Sequence, residues 1–564
     1  MDVVIFKTQK MQFLYKHYLH FYSNLKNLII RLGLKKSNGI SWNKILKDKK
    51  EIILKQHIKN FKNKKILIAT NTGGQNFATE VECLFSLALY LKGYEVEFLL
   101  CDGSMNACLI AQHNTISEDE IINSGMKKIC STCLSYGKRA FSETGFKINY
   151  YSDLHSKDYS NKVKTMIKDL SFEEMKSFCY EGVEIGLHSY GNLIRYYAAA
   201  NIEINEKSTA ILRNFIFSSI ITKKVTENLL NKNNFERILL HHAIYVPQGI
   251  VADVALKKKI DYVSWTVSYK KECIQIAKNN NPPAKKITET KSPWINKVLT
   301  TKNKLELTRH FEEKKNSTTD DWINFLGVTK NSELSDFIKK NNLGDRSKNV
   351  VMYTNIIWDA QFTFPDTLFK SMIDWMYSTI DYFHKRPDLN LIIRVHPAET
   401  NQGYETNETV QDCLKKKYKI LQKNIFVIEN TSKINSYKLA DHSALNLVYT
   451  SSISYELSAI GHNVMVAGSA FVVNKEVTID PKTKNEYFNL LERMPHNLAK
   501  ISTERKNNAL KYAHYFQNTI SIKISSFKST PNIWPPFEFD SNLIENLIIE
   551  KDDGIKYVID HITE

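Results

Sequence analysis

Glycine and proline are both scarce in this chain of 564 residues, at 19 and 12. That excludes collagen-like and low-complexity classes. No apolar run reaches the ~18–20 residues that span a bilayer. The start lacks the order of short basic region, apolar stretch and small-residue cleavage site, so no secretory signal is expected. No strict G-x-G-x-x-G follows a strand pattern, so NAD binding is not signalled. What is present is globular in kind. Hydrophobic residues are 43% and charged residues 24%, enough core to exclude wholesale disorder. At roughly 150 residues per domain, more than one folded unit is expected.

The formal charge is +17, which points to phosphate-bearing partners. It is not spread evenly. Residues 1–65 hold 16 Lys and Arg against three acids, a balance of +13, and the rest of the chain is nearly neutral. Tyr15, Tyr18, Leu19, Tyr22, Leu25 and Ile29 in this stretch follow a helical face. Residues 1–63 therefore read as a basic amphipathic segment suited to an anionic membrane surface. The plain alternative is a basic helix packed on the protein. The expected location is cytoplasmic, peripheral on the inner face of the membrane. A nucleic-acid partner is not expected, because the folded part carries no basic stripe interleaved with aromatics.

Eight cysteines are present, and four cluster as Cys101, Cys108, Cys130 and Cys133. In a reducing compartment such a set points to metal rather than disulfides. Four thiolates close a tetrahedral structural zinc shell, with Cys130-Ser-Thr-Cys133 as its tight half. An iron–sulfur cluster or unliganded thiols are the alternatives. Nothing around the pair supplies a thioredoxin-like setting.

The pattern along the chain is alternating β/α. Lys65–Asn71 reads as a buried strand, Thr72–Asn76 as a loop, Phe77–Lys92 as a helix and Glu95–Leu100 as a strand. Residues 151–235 are largely helical. Strands recur at 237–242 and 261–265, with a turn and a helix between. A Rossmann-like unit is thus expected over 64–300, a connection over 301–347, and a second unit over 348–520. The second unit carries strands near 349–355, 389–395, 425–428, 444–449 and 463–467. Residues 521–564 read as a tail. The fold class is α/β, of GT-B form: two Rossmann-like domains facing a cleft.

Two constellations carry chemistry. Arg394-Val-His-Pro-Ala-Glu399 follows an apolar strand, where ligands of open α/β sheets bind. His396 there suits a phosphate hydrogen bond or protonation of a leaving group. A surface histidine in a turn is the plain alternative. Tyr449-Thr-Ser-Ser-Ile-Ser-Tyr-Glu456 runs from a strand end into a helix start. Thr450, Ser451 and Ser452 with the helix amides form an anion cradle, and Glu456 suits ribose hydroxyls. Ordinary N-capping is the alternative. Together the two turns favour a nucleotide site of Asn355, Arg394, His396, Thr450, Ser451, Ser452 and Glu456. The catalytic base is expected on the first domain. His242 and Asp102 at strand ends are candidates, with Glu80 behind them, and His396 is the acid candidate.

These stretches resemble the bacterial capsule polysaccharide biosynthesis family, GT-B proteins that include capsular β-Kdo transferases. Similar segments are Tyr353–Ala360, Ile393–Glu399, Leu447–Gly468, Glu486–Asn489 and Lys511–Phe516. The resemblance covers about 345–520 and is thinner over the Gly73-Gly74 loop and the Tyr245–Gly249 turn. Bacterial sialyltransferases of GT-B form carry a similar pair of turns that hold CMP. The resemblance implies transfer from a nucleotide-sugar donor to a glycan or lipid-linked acceptor, with no cofactor required for catalysis. His396, Ser451 and Ser452 would touch the donor phosphate, Glu456 its ribose, and Asn355 would stand beside them. Alternatives are a polyol-phosphate transferase, a nucleotide-sugar epimerase of similar fold, or a non-catalytic membrane-associated capsule-assembly protein.

Overall fold

The computed structural model describes residues 40–564, apart from 200, 319–320, 322–330, 360–366, 401–404, 497–498 and 531–536. The first 39 residues, which hold most of the predicted membrane-facing segment, lie outside the described residues.

The first unit contributes β1 (Lys65–Asn71), β2 (Glu95–Leu100), β3 (Lys147–Tyr150), β4 (Arg237–His241), β5 (Tyr262–Val267) and β6 (Cys273–Lys278). The second contributes β7 (Asn349–Tyr353), β8 (Asn390–Arg394), β9 (Ile425–Ile428), β10 (Leu445–Val448) and β11 (Val464–Val466). Two late strands follow in the tail, β12 (Ile522–Lys523) and β13 (Phe527–Ser529), and β13 pairs antiparallel with β14 (Phe537–Phe539). The first sheet runs β12-β6-β5-β4-β1-β2-β3 and the second β11-β10-β7-β8-β9. The pairings β3-β2-β1-β4-β5 are parallel, as are all those of the second sheet.

Each sheet is covered on both faces, which explains the near-continuous apolar runs. Along β1, Ile66 and Ile68 face one core while Leu67 and Ala69 face the other. The Leu67/Ala69 core packs under helices Ile185–Tyr197 and Glu206–Lys232. The Ile66/Ile68 core packs under helices Asn76–Leu91 and Asp553–Thr563. In the second unit Val350 and Met352 oppose Val351 and Tyr353 in the same way.

Both units are Rossmann-like. In each sheet the first three strands proceed outward one way and the next two the other way from the central strand, β1 or β7. The order reverses between β1 and β4, and between β7 and β10. Those reversals are the crevices where open α/β sheets bind ligands.

Two segments sit differently from the sequence reading. The stretch 521–564 returns to the first unit: β12 adds an antiparallel edge to β6, and helix 553–563 packs on helix 76–91. A two-residue strand has too little pattern to be read from sequence. The last part of the basic segment packs on the protein. Trp42 is fully buried and its indole N–H donates to Glu80 at 2.6 Å, while Leu46 and Ile53 join the same core.

Candidate active site

The crevice of the second sheet gathers three strand ends. Asn355 follows β7 and Thr450 follows β10. The Thr450 amide donates to Asn355 Oδ1 at 3.2 Å, directly across the reversal. The His396 amide, just past β8, donates to Thr354 Oγ1 at 3.1 Å. His396 Nδ1 accepts the Ala398 amide at 3.2 Å, so the neutral ring carries its proton on Nε2. Burial, aided by the Arg394 charge, pulls the His396 pKa down to about 4. The ring is therefore a neutral donor at physiological pH.

Ser452 precedes helix Ile453–Ile460, and Ser451 Oγ accepts the Ile453 amide at 3.4 Å. Both serines are half-buried. The macrodipole of this helix favours an anion at the crevice.

The structure employs two of the expected nucleotide ligands elsewhere. Arg394 is buried at 1% exposure, and its guanidinium donates to the carbonyls of Val395, Glu429 and Ser432. It latches the loop after β9. Glu456 is also buried. Its Oε2 accepts from the Tyr437 hydroxyl at 2.7 Å, and its Oε1 lies 2.9 Å from Lys314 Nζ. Lys314 also pairs with Asp321. Burial pulls the Lys314 pKa down, but the Glu456 carboxylate, the Tyr437 oxygen and the Asp321 carboxylate outweigh it, so the ammonium stays charged. Lys314 lies near the end of helix Thr301–Asn316, in the predicted connection. No sequence signal separates it from the neighbouring lysines.

The first sheet's crevice carries paired histidines at the end of β4. His241 is buried against Trp265 and Phe77, its ring nitrogen 3.1 Å from Gln75 Oε1 and its amide donating to Thr70 Oγ1. Burial pulls its pKa down to about 3. His242 is partly exposed as a residue, while its Nδ1 is buried and has no hydrogen-bond partner among the described residues. Burial, the neighbouring His241 and the Arg195 charge hold its pKa well below the ordinary histidine value. His242 and Ala243 both take positive φ, 33° and 55°. Two consecutive non-glycine residues in that region store strain of the kind found at functional sites.

Arg195, from helix 185–197, closes the gap between units. Its guanidinium lies 5.2 Å from the Tyr245 ring centre and 5.7 Å from that of Trp358 in the loop after β7. Asp359 stands next to Trp358 at the cleft. Its side chain is exposed there, within electrostatic reach of Arg195. Tyr269 of the first unit stands half exposed at the same cleft, its ring 5.8 Å from that of Phe516 and within electrostatic reach of Asp359, Glu456 and Lys314. Sequence alone does not single out Arg195 or Tyr269, because neither sits in a strand-end motif.

Asp102 does turn work: Oδ1 accepts from the Ser104 hydroxyl at 2.7 Å and Oδ2 from the Ser152 amide at 3.2 Å. Glu80 is held by Trp42 and Tyr136 beneath the sheet. The four clustered cysteines do come together. Cys101, Cys108, Cys130 and Cys133 line one small cavity beside the loop that follows β1. Burial pushes the Cys101 thiol up to about 12 and the Cys130 thiol up to about 11. Among the described residues, no three His, Cys, Asp or Glu side chains already stand at metal-binding separations.

The strand orders and the cleft define the class: two Rossmann-like α/β domains in the GT-B arrangement. No family model matches the chain, and no curated protein matches it. Among solved structures it is similar to the β-Kdo 2,4 transferase KpsC of Thermosulfurimonas dismutans, at 11% identity and TM-score 0.32, over 56% of this chain and 87% of that one. It is also similar to the α,α-trehalose 6-phosphate synthase of Burkholderia multivorans, at 9% identity and TM-score 0.29, over 88% and 99% of the two chains. A UDP-GlcNAc 2-epimerase of Neisseria meningitidis is similar at 13% identity and TM-score 0.20, over 80% and 99%. At these scores the architecture rests on the strand orders above. Among the described residues, no helix is long and apolar enough to cross a membrane.

Proposed function

We propose that this chain is a glycosyltransferase that moves a sugar from a nucleotide-activated donor, with a CMP-sugar as one candidate, to a capsular or other surface glycan. The observation that carries the reading is the Asn355–Thr450 hydrogen bond across the β7/β10 reversal, beside His396 and the start of helix 453–460. A donor phosphate fits there. His396, the Ser451 and Ser452 hydroxyls and the helix macrodipole would hold it without a net positive charge. His242, at the facing crevice, takes the proton of the acceptor hydroxyl as the sugar–phosphate bond breaks. Arg195, between Tyr245 and Trp358, supplies the cation of the cleft.

Thermal melting with CMP, UDP, GDP and CDP tests this. One nucleotide is expected to raise the melting temperature, by an amount equivalent to about 2.7 kcal/mol at a hundredfold excess over its Kd. His396→Ala should abolish the gain. No stabilisation by any of the four overturns the reading.

The same reading puts the enzyme at the inner face of the cytoplasmic membrane. Leu54, Ile58 and Phe61 stand about half exposed or more at one-face spacing on and just past helix Lys50–Asn60, among lysines. Vesicle flotation should show binding to anionic liposomes and none to neutral ones; equal behaviour on both sinks the membrane assignment.

A further inference from the structure

We propose that Cys101, Cys108, Cys130 and Cys133 form a binding site for a single thiophilic divalent ion, zinc, and that this ion braces the loop after β1. The cysteines come from two distant stretches. Cys101 and Cys108 lie in the loop after β2, and Cys130 and Cys133 lie on helix Lys127–Thr144. The fold nevertheless sets all four against one cavity, walled otherwise by apolar side chains such as Met105, Ile110, Met126 and Ile129.

Backbone amides converge on three of the sulfurs. The amides of Gly103 and Met105 lie toward Cys101, that of Ile110 toward Cys108, and those of Gly73 and Gly74 toward Cys133. Those at Cys101 and Cys108 begin two residues after the cysteine, a turn that faces N–H groups toward a sulfur. Amides so placed can orient thiolate ligands and offset their charge. A second observation points into the same space. Thr72 lines the cavity at 3% exposure, and its Oγ1 has no hydrogen-bond partner among the described residues. A polar atom is seldom left so in an apolar wall unless something polar fills the space.

The thiols line the cavity without meeting at ligand distance. Each cysteine has one side-chain torsion, so rotation about Cα–Cβ is the movement available to bring the sulfurs inward. Four thiolates then complete a closed tetrahedral shell, which leaves no position for a substrate and makes the ion structural.

The ion acts on the crevice through the glycine loop. A Cβ on Gly73 would lie 2.3 Å from the Cys133 carbonyl and 2.5 Å from the Gly137 amide, so this loop rests directly on the cysteine helix. Gln75, two residues on, holds His241 beside His242. Fixing Cys133 therefore fixes the floor beneath the candidate base.

Metal analysis of the full chain, purified without chelator from zinc-replete cells, tests the site. About one zinc per chain is expected, falling to near none in Cys130→Ser and in Cys133→Ser. Cys179→Ser, on an exposed thiol outside the cluster, should keep its zinc. Cobalt exchange gives a second readout that does not depend on the variants folding: thiolate-to-cobalt charge-transfer bands in the unaltered protein. A metal-free wild type, zinc content unchanged in both variants, iron with acid-labile sulfide, or a Cys130–Cys133 disulfide in anaerobically prepared protein each overturns the proposal.

Discussion

Lys314→Met is expected to lower the free energy of unfolding by about 3–5 kcal/mol. The ammonium is nearly enclosed, with 9% of its side chain exposed, and it faces Glu456 at 2.9 Å with 4% exposed. Asp321 pairs with the same nitrogen. Removing the cation leaves two carboxylates sharing a poorly hydrated space. They can relieve this only by taking up protons. The loss should therefore be larger at pH 8, where both must stay charged, than at pH 5. Urea titrations of the wild type and the variant at the two pH values measure it. The double variant Lys314→Met/Glu456→Gln should recover part of the loss, because the stranded charge is gone. A change under about 1 kcal/mol at pH 8 would mean the pair is open to water and worth little. Function follows the same contact. Glu456 lies in the first turn of helix 453–460, whose start is the proposed phosphate cradle. Loosening it should weaken nucleotide binding even though Lys314 need not touch the nucleotide.

How far the sequence reveals this molecule depends on what each residue's partner is. Strands β1, β2, β4, β5 and β7–β11 are legible because each is buried on both faces and reads as an apolar run between turn signals. Strand β3, Lys147-Ile-Asn-Tyr150, has no such run, and in β6 the buried Gln275 interrupts the apolar pattern. Strand β12 exists only through its pairing with β6, some 250 residues earlier, which no local pattern records. The site divides in the same way. Asn355, His396 and Thr450–Ser452 are legible because strand ends of α/β sheets converge by topology alone. Arg394 and Glu456 lie in the right turns, but their heads point to partners that only the folded chain supplies: three carbonyls for one, Lys314 for the other. Arg195 and Tyr269 gain meaning only once the two units are brought face to face.

His242→Ala is expected to cut the rate of sugar transfer by about 10²–10⁴-fold while leaving the melting temperature near that of the wild type. The two halves of that expectation have separate grounds. Stability should hold because His242 Nδ1 has no hydrogen-bond partner among the described residues to lose, and the contacts that knit β4 to β1 and to the loop belong to His241. The rate should fall because His242 puts a partly exposed imidazole at the β1/β4 crevice, while Asp102 and Glu80 are engaged in a turn and beneath the sheet. KM for the donor should barely move, since the proposed donor site lies on the other unit. The measurement uses the sugar ester of whichever nucleotide stabilises the protein, with kcat and KM determined separately. His241→Ala is the contrasting variant, expected to melt lower because it empties a buried space against Trp265 and Phe77. If His242→Ala keeps the wild-type rate, the proton must leave by another group. Asp359, exposed across the cleft within electrostatic reach of Arg195, then becomes the residue to change.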